Sequence, residues 1–229
     1  MKKNILITGA AGNLGQAVVQ KFLSEGHRVI AVLSPGKKLD GAGDDLVSMQ
    51  VDLTHEKSVE DLIGSVVLKY QSIDVAVLLA GGYASGGVAE TDGALLSKMY
   101  SLNFETTYFT ARPVFRQMKG QPGGGRIIFV GARPALQASD GKDSLAYALS
   151  KSLIFKLADF LNAEGAKKNV LSSVIVPSTI DTPVNRRAMP AADFSSWVKP
   201  EAIAEVMAFV ASETGGVLRE SVMKVYGKA

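Results

Sequence analysis

Asn4-Ile-Leu-Ile-Thr8-Gly-Ala-Ala-Gly12-Asn-Leu-Gly15 is the stretch that decides the fold of this chain. A short apolar run with strand character enters a turn that carries glycine at every third position. The turn then opens a helical stretch, Asn13–Glu25. Gly9 suits a tight exit from the strand, Gly12 allows a phosphate to approach the backbone, and Gly15 lets the helix pack close to the sheet. The first N–H groups of a helix have no partner inside it, and the helix dipole puts partial positive charge there. In this context the turn reads as a nucleotide cradle made by Gly9, Ala11, Gly12, Asn13, Leu14 and Gly15.

Working outward, apolar runs alternate with helical stretches to the end of the chain. Strands are expected at Arg28–Leu33, Leu46–Leu53, Val75–Ala80, Arg126–Val130, Val170–Val176 and Val222–Tyr226. Helices are expected at His55–Tyr70, Leu95–Lys119, Ser144–Glu164 and Pro200–Ala211, with a kink at Pro113. Several strands are near-continuous Ile, Val and Leu, as in parallel strands buried on both faces. The expectation is therefore an α/β fold: one doubly wound Rossmann-type domain over residues 1–229, a seven-stranded parallel sheet with helices on both faces. Residues 182–197 read as irregular, a candidate loop closing over substrate.

Composition narrows the chemistry. With 229 residues at 47% hydrophobic, the chain can bury one continuous core. No apolar run reaches the length of a membrane span, and the apolar run after Met1-Lys2-Lys3 is too short for a signal peptide. The chain has no cysteine, and its two histidines, His27 and His55, lie in different segments. No metal site is expected. A net charge of +3, spread over short pairs such as Lys167-Lys168, does not suggest a nucleic-acid partner. A cytoplasmic location with neither membrane nor nucleic-acid partner is the expectation.

An acidic residue at the end of the second strand holds the ribose 2′-OH in the NAD-binding version of such a unit. Here Leu33 and Ser34 occupy that place and Lys37-Lys38 follow. With Ser34 and Lys37 in the site, no carboxylate repels a 2′-phosphate and two lysines attract one, so NADP(H) is favoured over NAD(H). Asp52, with Leu53, stands after the third strand where an adenine edge would lie. The other reading of Asp52 is a cap for the next helix, in competition with Thr54.

Tyr147-Ala-Leu-Ser-Lys151 carries the reactive chemistry. Tyr147 and Lys151 are four apart in a helical stretch and share one face. An ammonium beside a phenol favours the phenolate, so Lys151 is expected to lower the pKa of Tyr147 and fit it for proton transfer.

These residues together resemble the short-chain dehydrogenase/reductase family, and the resemblance covers the whole chain. The glycine turn, Leu79-Ala-Gly-Gly82, Asn103, Tyr147-x-x-Ser-Lys151 and Pro177-Ser-Thr-Ile-Asp-Thr182 occur in the family's order, with Ser178 where the family has glycine. Within the family the chain is most similar to the dihydropteridine reductases. That likeness rests on Ala80-Gly-Gly-Tyr83, on Gly131-Ala-Arg-Pro-Ala-Leu136 and on the whole of Val176 to Trp197. The resemblance implies reduction of a quinonoid dihydropteridine by a nicotinamide cofactor. It also implies cofactor contacts from Ala80, Gly81, Gly82, Pro177, Ile180 and Thr182.

By the same resemblance Tyr147 donates the proton, Lys151 tunes it and binds the nicotinamide ribose, and Asn103 positions Lys151. Ala132 stands where classical members place a serine, and Ser139 and Ser144 are the hydroxyls that could stand in for it. Tyr83, Ala132, Arg133 and Asn185 are candidate substrate contacts for a pterin. Two departures from the dihydropteridine reductases, Ser34 in place of an acid and the retained Asn103, keep a general ketone or 3-oxoacyl reductase open. A non-catalytic nicotinamide-nucleotide-binding protein is the alternative from another class. The helices at 95–119 and 144–164 offer a face for a homodimer or homotetramer.

Overall fold

The computed structural model describes residues 1–39, 41, 43–218 and 221–228. Seven strands form one parallel sheet: β1 (Asn4–Thr8), β2 (Arg28–Leu33), β3 (Leu46–Gln50), β4 (Val75–Leu78), β5 (Gly125–Val130), β6 (Val170–Pro177) and β7 (Val222–Val225). Their order across the sheet is β3-β2-β1-β4-β5-β6-β7. The chain winds outward from β1 in one direction, returns, and winds outward from β4 in the other. That reversal opens a crevice at the C-terminal ends of β1 and β4, where ligands bind in sheets of this type. Ile5 pairs with Val29 on one side and Val75 on the other, so β1 is central and buried.

Helices cover both faces. Leu6, Ile30, Ala76, Ile127 and Val174 point to one core, packed by α2 (Glu56–Tyr70), α4 (Thr106–Gly120) and α6 (Leu145–Gly165). Ile5, Ile7, Val77, Ile128 and Ile175 point to the other, packed by α1 (Asn13–Ser24) and α8 (Pro200–Ala211). The alternation of side chains along each strand feeds both cores, which is why these strands read as unbroken apolar runs. Among the described residues no helix is long and apolar enough to cross a membrane.

Three expected elements differ. The third strand stops at Gln50 rather than Leu53, because Asp52 folds into a turn whose carboxylate takes the Thr54 N–H at 3.0 Å and hydroxyl at 2.7 Å. The helix expected over Leu95–Lys119 is divided. α3 (Gly93–Tyr100) passes through a π turn at Ser101–Glu105 before α4 begins. The break lies at Asn103 and not at Pro113, which sits inside an unbroken α4. The buried face Thr110, Ala111, Val114 and Met118 holds α4 together across the one bond that Pro113 cannot make.

Finally, 182–197 is ordered rather than irregular. α5 (Ala138–Gly141) precedes α6, and α7 (Pro183–Ala188) is followed by a 3₁₀ turn at Phe194–Ser196. Asp181 grips Arg186 through two bonds at 2.6 and 2.8 Å. Arg186 lies 4.8 Å over the Phe194 ring, and Phe194 packs on Trp197 at 4.8 Å.

Candidate active site

The crevice is built from the turn after β1 and the loop after β4. Gly9 has φ +65°, and a Cβ on it would lie 3.0 Å from the Ala80 nitrogen, so the two loops touch there. Thr8, 1% exposed, ties them: its Oγ1 accepts from the Leu79 N–H at 3.1 Å and the Ala80 N–H at 3.3 Å. Sequence reading missed Thr8, and its signal is a hydroxyl at the last position of a buried strand. Gly15 lets α1 start close against the turn, since a Cβ there would stand 2.2 Å from the Gly9 carbonyl oxygen.

Gly12 caps α1, and among the described residues no side chain takes the helix's leading N–H groups. Gly12 and Asn13 are exposed. An uncapped, glycine-flanked helix start facing the crevice suits the pyrophosphate of a dinucleotide. Ala11 and Leu14 flank it, both part-buried.

At the far end of the crevice Ser34 begins a turn in which the Lys37 N–H donates to the Ser34 carbonyl at 3.0 Å. Gln50, which the sequence did not single out, clamps this turn. Its Oε1 accepts from the Gly36 N–H and its Nε2 donates to the Lys37 carbonyl, each at 3.0 Å. Lys37 and Lys38 are exposed, and among the described residues neither is in an ion pair. The Asp52 carboxyl is held below its ordinary range by the Thr54 bonds. It does not cap α2, whose N-cap is His55.

The β4 loop leads inward to the reactive group. Asn103 is fully buried, its Oδ1 accepts from the Gly82 N–H at 2.9 Å, and its Nδ2 donates to Ser150 Oγ at 3.0 Å. The π turn is what brings Asn103 inward, and such turns often occur at functional sites. A Cβ on Gly81 would lie 2.5 Å from Asn103 Oδ1 and 3.5 Å from Lys151 Nζ, so these two side chains crowd the same glycine. Lys151 is 6% exposed and its Nζ donates to the Val130 carbonyl at 3.0 Å.

Burial pushes Lys151 down to about 8. Burial, with the Tyr83 phenol second, pushes Tyr147 up to about 12, although part of its surface stays accessible. The expectation that Lys151 depresses the Tyr147 pKa is therefore reversed here. Desolvation dominates, and the ammonium spends its bond on β5. Tyr147 is a neutral phenol near pH 7.

Tyr83 is 68% exposed and meets Tyr147 edge-on. The loop that carries it is pinned to the start of α6: the Gly86 N–H donates to the Asp143 carbonyl at 2.9 Å, and the Leu145 N–H to the Gly86 carbonyl at 2.8 Å. Ala132 is 5% exposed. Gly131 lets β5 pass beneath Phe155 of α6, where a Cβ would lie 2.8 Å from the ring. Ser139 is exposed on α5. Ser144 is buried, precedes Tyr147 by one helical turn, and makes no side-chain cap bond.

Several expected contacts are occupied. Arg133 bonds Asp140 at 2.6 Å and covers the Tyr226 ring at 5.4 Å, contacts that prop the β5 loop. Asn185 Nδ2 donates to the Ile180 carbonyl at 2.8 Å, and its N–H to Thr182 Oγ1 at 3.2 Å. Thr182 thereby caps α7. Pro177 ends β6, and Ser178 donates its hydroxyl to the Tyr226 carbonyl at 2.7 Å.

The chain is similar to known proteins over most of its length. The family model for the short chain dehydrogenases matches residues 3–193. A dihydropteridine reductase of Dictyostelium discoideum is 30% identical over 210 residues, covering 90% of this chain and 86% of its own. An uncharacterised oxidoreductase of Bacillus subtilis is 32% identical over 192 residues, but the chain spans only 27% of that protein's length. A 3-oxoacyl-[acyl-carrier-protein] reductase of Mycobacterium tuberculosis is 27% identical, covering 99% and 92% of the two chains. Among solved structures, ElxO with NADP bound superposes with a TM-score of 0.90 at 24% identity, over 99% of this chain and 98% of that one. This protein belongs to the short-chain dehydrogenase family of oxidoreductases.

Proposed function

We propose that this protein is a nicotinamide-dependent reductase that prefers NADPH and acts on a dihydropteridine, with Tyr147 as proton donor. The observation that carries the reading is the set of groups around Tyr147. A neutral phenol stands beside an exposed tyrosine ring, and Ala132 leaves no hydroxyl on the β5 side. A flat heterocycle has ring faces for Tyr83 and several polar edges of its own, so it depends less on a second hydroxyl.

A bound nicotinamide supplies hydride, and the chain's residues do the rest. Gly12 and Asn13 receive the pyrophosphate at the start of α1, and Lys37 and Lys38 meet the 2′-phosphate. Asp52 and Leu53 border the adenine. Ala80, Gly81 and Gly82 wall the crevice, and Pro177, Ile180 and Thr182 border the nicotinamide. Lys151 holds the nicotinamide ribose and, when charged, stabilises the phenolate that forms as Tyr147 gives up its proton. Near neutral pH Tyr147 is protonated, which is the state a reduction needs. The presence of NADP in ElxO and the pterin activity named for the Dictyostelium relative support both choices.

The Ser144 hydroxyl, one turn before Tyr147, favours a second reading as a ketone or 3-oxoacyl reductase. Assay with quinonoid dihydropterin and with an acetoacetyl thioester, under NADPH and NADH, separates the two. Turnover of the thioester alone, lost in Ser144→Ala, would select the second.

The reading extends to a homo-oligomer. Leu96 and Tyr100 of α3 and Leu149 and Leu153 of α6 are exposed side by side. A second copy fits this face, because two-fold contacts pair like helices with like. Leu149→Glu with Leu153→Glu should give a monomer by light scattering, and an unchanged mass would remove this part.

A further inference from the structure

Ser150 is the polar residue within the Tyr147–Lys151 turn, and the roles above leave it without a task. It is 3% exposed, and its hydroxyl makes two bonds. It donates to the Tyr147 carbonyl at 2.8 Å and accepts from Asn103 Nδ2 at 3.0 Å. The orientation of the Asn103 amide is set from its other side, because the Gly82 N–H can only donate and meets Oδ1 at 2.9 Å. Three bonds therefore run in one direction, from the Gly82 N–H through the Asn103 amide and the Ser150 hydroxyl to the Tyr147 carbonyl. A backbone donor at one end and a backbone acceptor at the other fix that polarity.

A helical serine that bonds only the carbonyl three residues back is commonplace and carries no function. The bond from Asn103 distinguishes Ser150. It crosses from the π turn to α6 and ends on the carbonyl that, by the helical repeat, also receives the Lys151 N–H. That backbone segment carries both the phenol and the ammonium. Its far end is the β4 loop, which walls the crevice.

We infer that Ser150 is a positioning residue: its hydroxyl locks the Tyr147–Lys151 turn of α6 to Asn103 and, through Asn103, to the β4 loop at Gly82. The inference rests on the reading of Tyr147 and Lys151 as the reacting pair. Ser150 acts on the placement of that pair, while Asn103 acts on both the pair and the loop. Removing each should therefore disturb different kinetic constants.

The experiment uses the full chain with NADPH and whichever probe, quinonoid dihydropterin or acetoacetyl thioester, the wild type reduces. Ser150→Ala should lower kcat about tenfold with the NADPH KM within about twofold, the scale of one buried hydrogen bond. Ser150→Thr keeps a hydroxyl and should recover most of kcat. Asn103→Ala should lower kcat and raise the NADPH KM. The double variant should be no slower than about the slower single variant, because both act through one chain of bonds. A kcat for Ser150→Ala within about twofold of wild type, or fully additive losses in the double variant, would overturn the inference. Tyr147→Phe is assayed beside them. If it stays active, or the wild type reduces neither probe, the reading of the reacting pair fails and this inference with it. If Tyr147→Phe is dead and Ser150→Ala is normal, the positioning role alone fails.

Discussion

The rings of Tyr83 and Tyr147 meet edge to face, their centroids 5.1 Å apart and their planes at 70°. An exposed ring in the β4 loop thus packs against the phenol of α6, and in the proposed function the substrate meets it there. Tyr83→Ala should cost about tenfold in kcat/KM on a flat heteroaromatic substrate, the scale of one aromatic contact. A small aliphatic ketone should be spared. Equal losses on both substrates would mean that Tyr83 serves only the loop.

Gly12 and Gly15 should respond differently to alanine. At Gly12 the added methyl meets the Gly9 carbonyl at 3.3 Å, and at Gly15 at 2.2 Å. Gly12→Ala should fold with a near-normal melting temperature and bind NADPH about tenfold more weakly. Gly15→Ala should lower the melting temperature itself by several degrees, on the order of 1–3 kcal/mol of overpacking. Calorimetry with a fluorescence titration of NADPH checks both.

The proposed preference for NADPH rests on the Ser34–Lys38 turn. Lys37→Glu with Lys38→Glu should lower kcat/KM for NADPH about 10- to 100-fold, the scale of charge-assisted bonds to a phosphate. NADH should be used as before or better. An unchanged ratio would remove the 2′-phosphate role of these lysines.

Lys151 carries a pH signature. Its folded pKa of about 8 lies below the ordinary 10.5, so the unfolded chain binds the extra proton between those values. Below about pH 8 the buried charge opposes folding. Stability then recovers as pH rises toward 10.5. The difference amounts to roughly 3 kcal/mol as an upper bound. Lys151→Met should raise the melting temperature at pH 7 while abolishing turnover. The gap to wild type should narrow above about pH 8. A variant less stable than wild type at pH 7 would contradict this.

The sheet was legible because its strands are apolar on both faces, and Gly9, Gly12 and Gly15 announce the turn that starts it. Asn103 and Lys151 crowd the same glycine, Gly81, and Asn103 reaches the Tyr147 carbonyl through Ser150. Sequence could not show the π turn at Asn103, because no residue type encodes it and Pro113 drew the expected break elsewhere. Nor could it show the state of Tyr147. Spacing suggested a charge effect from Lys151, but burial depends on how the Tyr83 loop folds back over the ring. Arg133 and Asn185 read as substrate contacts from the loops they lie in. Their partners, Asp140 and Ile180, are visible only in three dimensions.

The central claim is that Tyr147 gives the proton in a reduction, and the turnover number of Tyr147→Phe tests it most directly. With saturating NADPH and quinonoid dihydropterin, kcat should fall by about 10² to 10⁴, the range for loss of a positioned general acid. NADPH should still bind as it does to wild type. A kcat within about twofold of wild type, at unchanged NADPH affinity, would contradict the account.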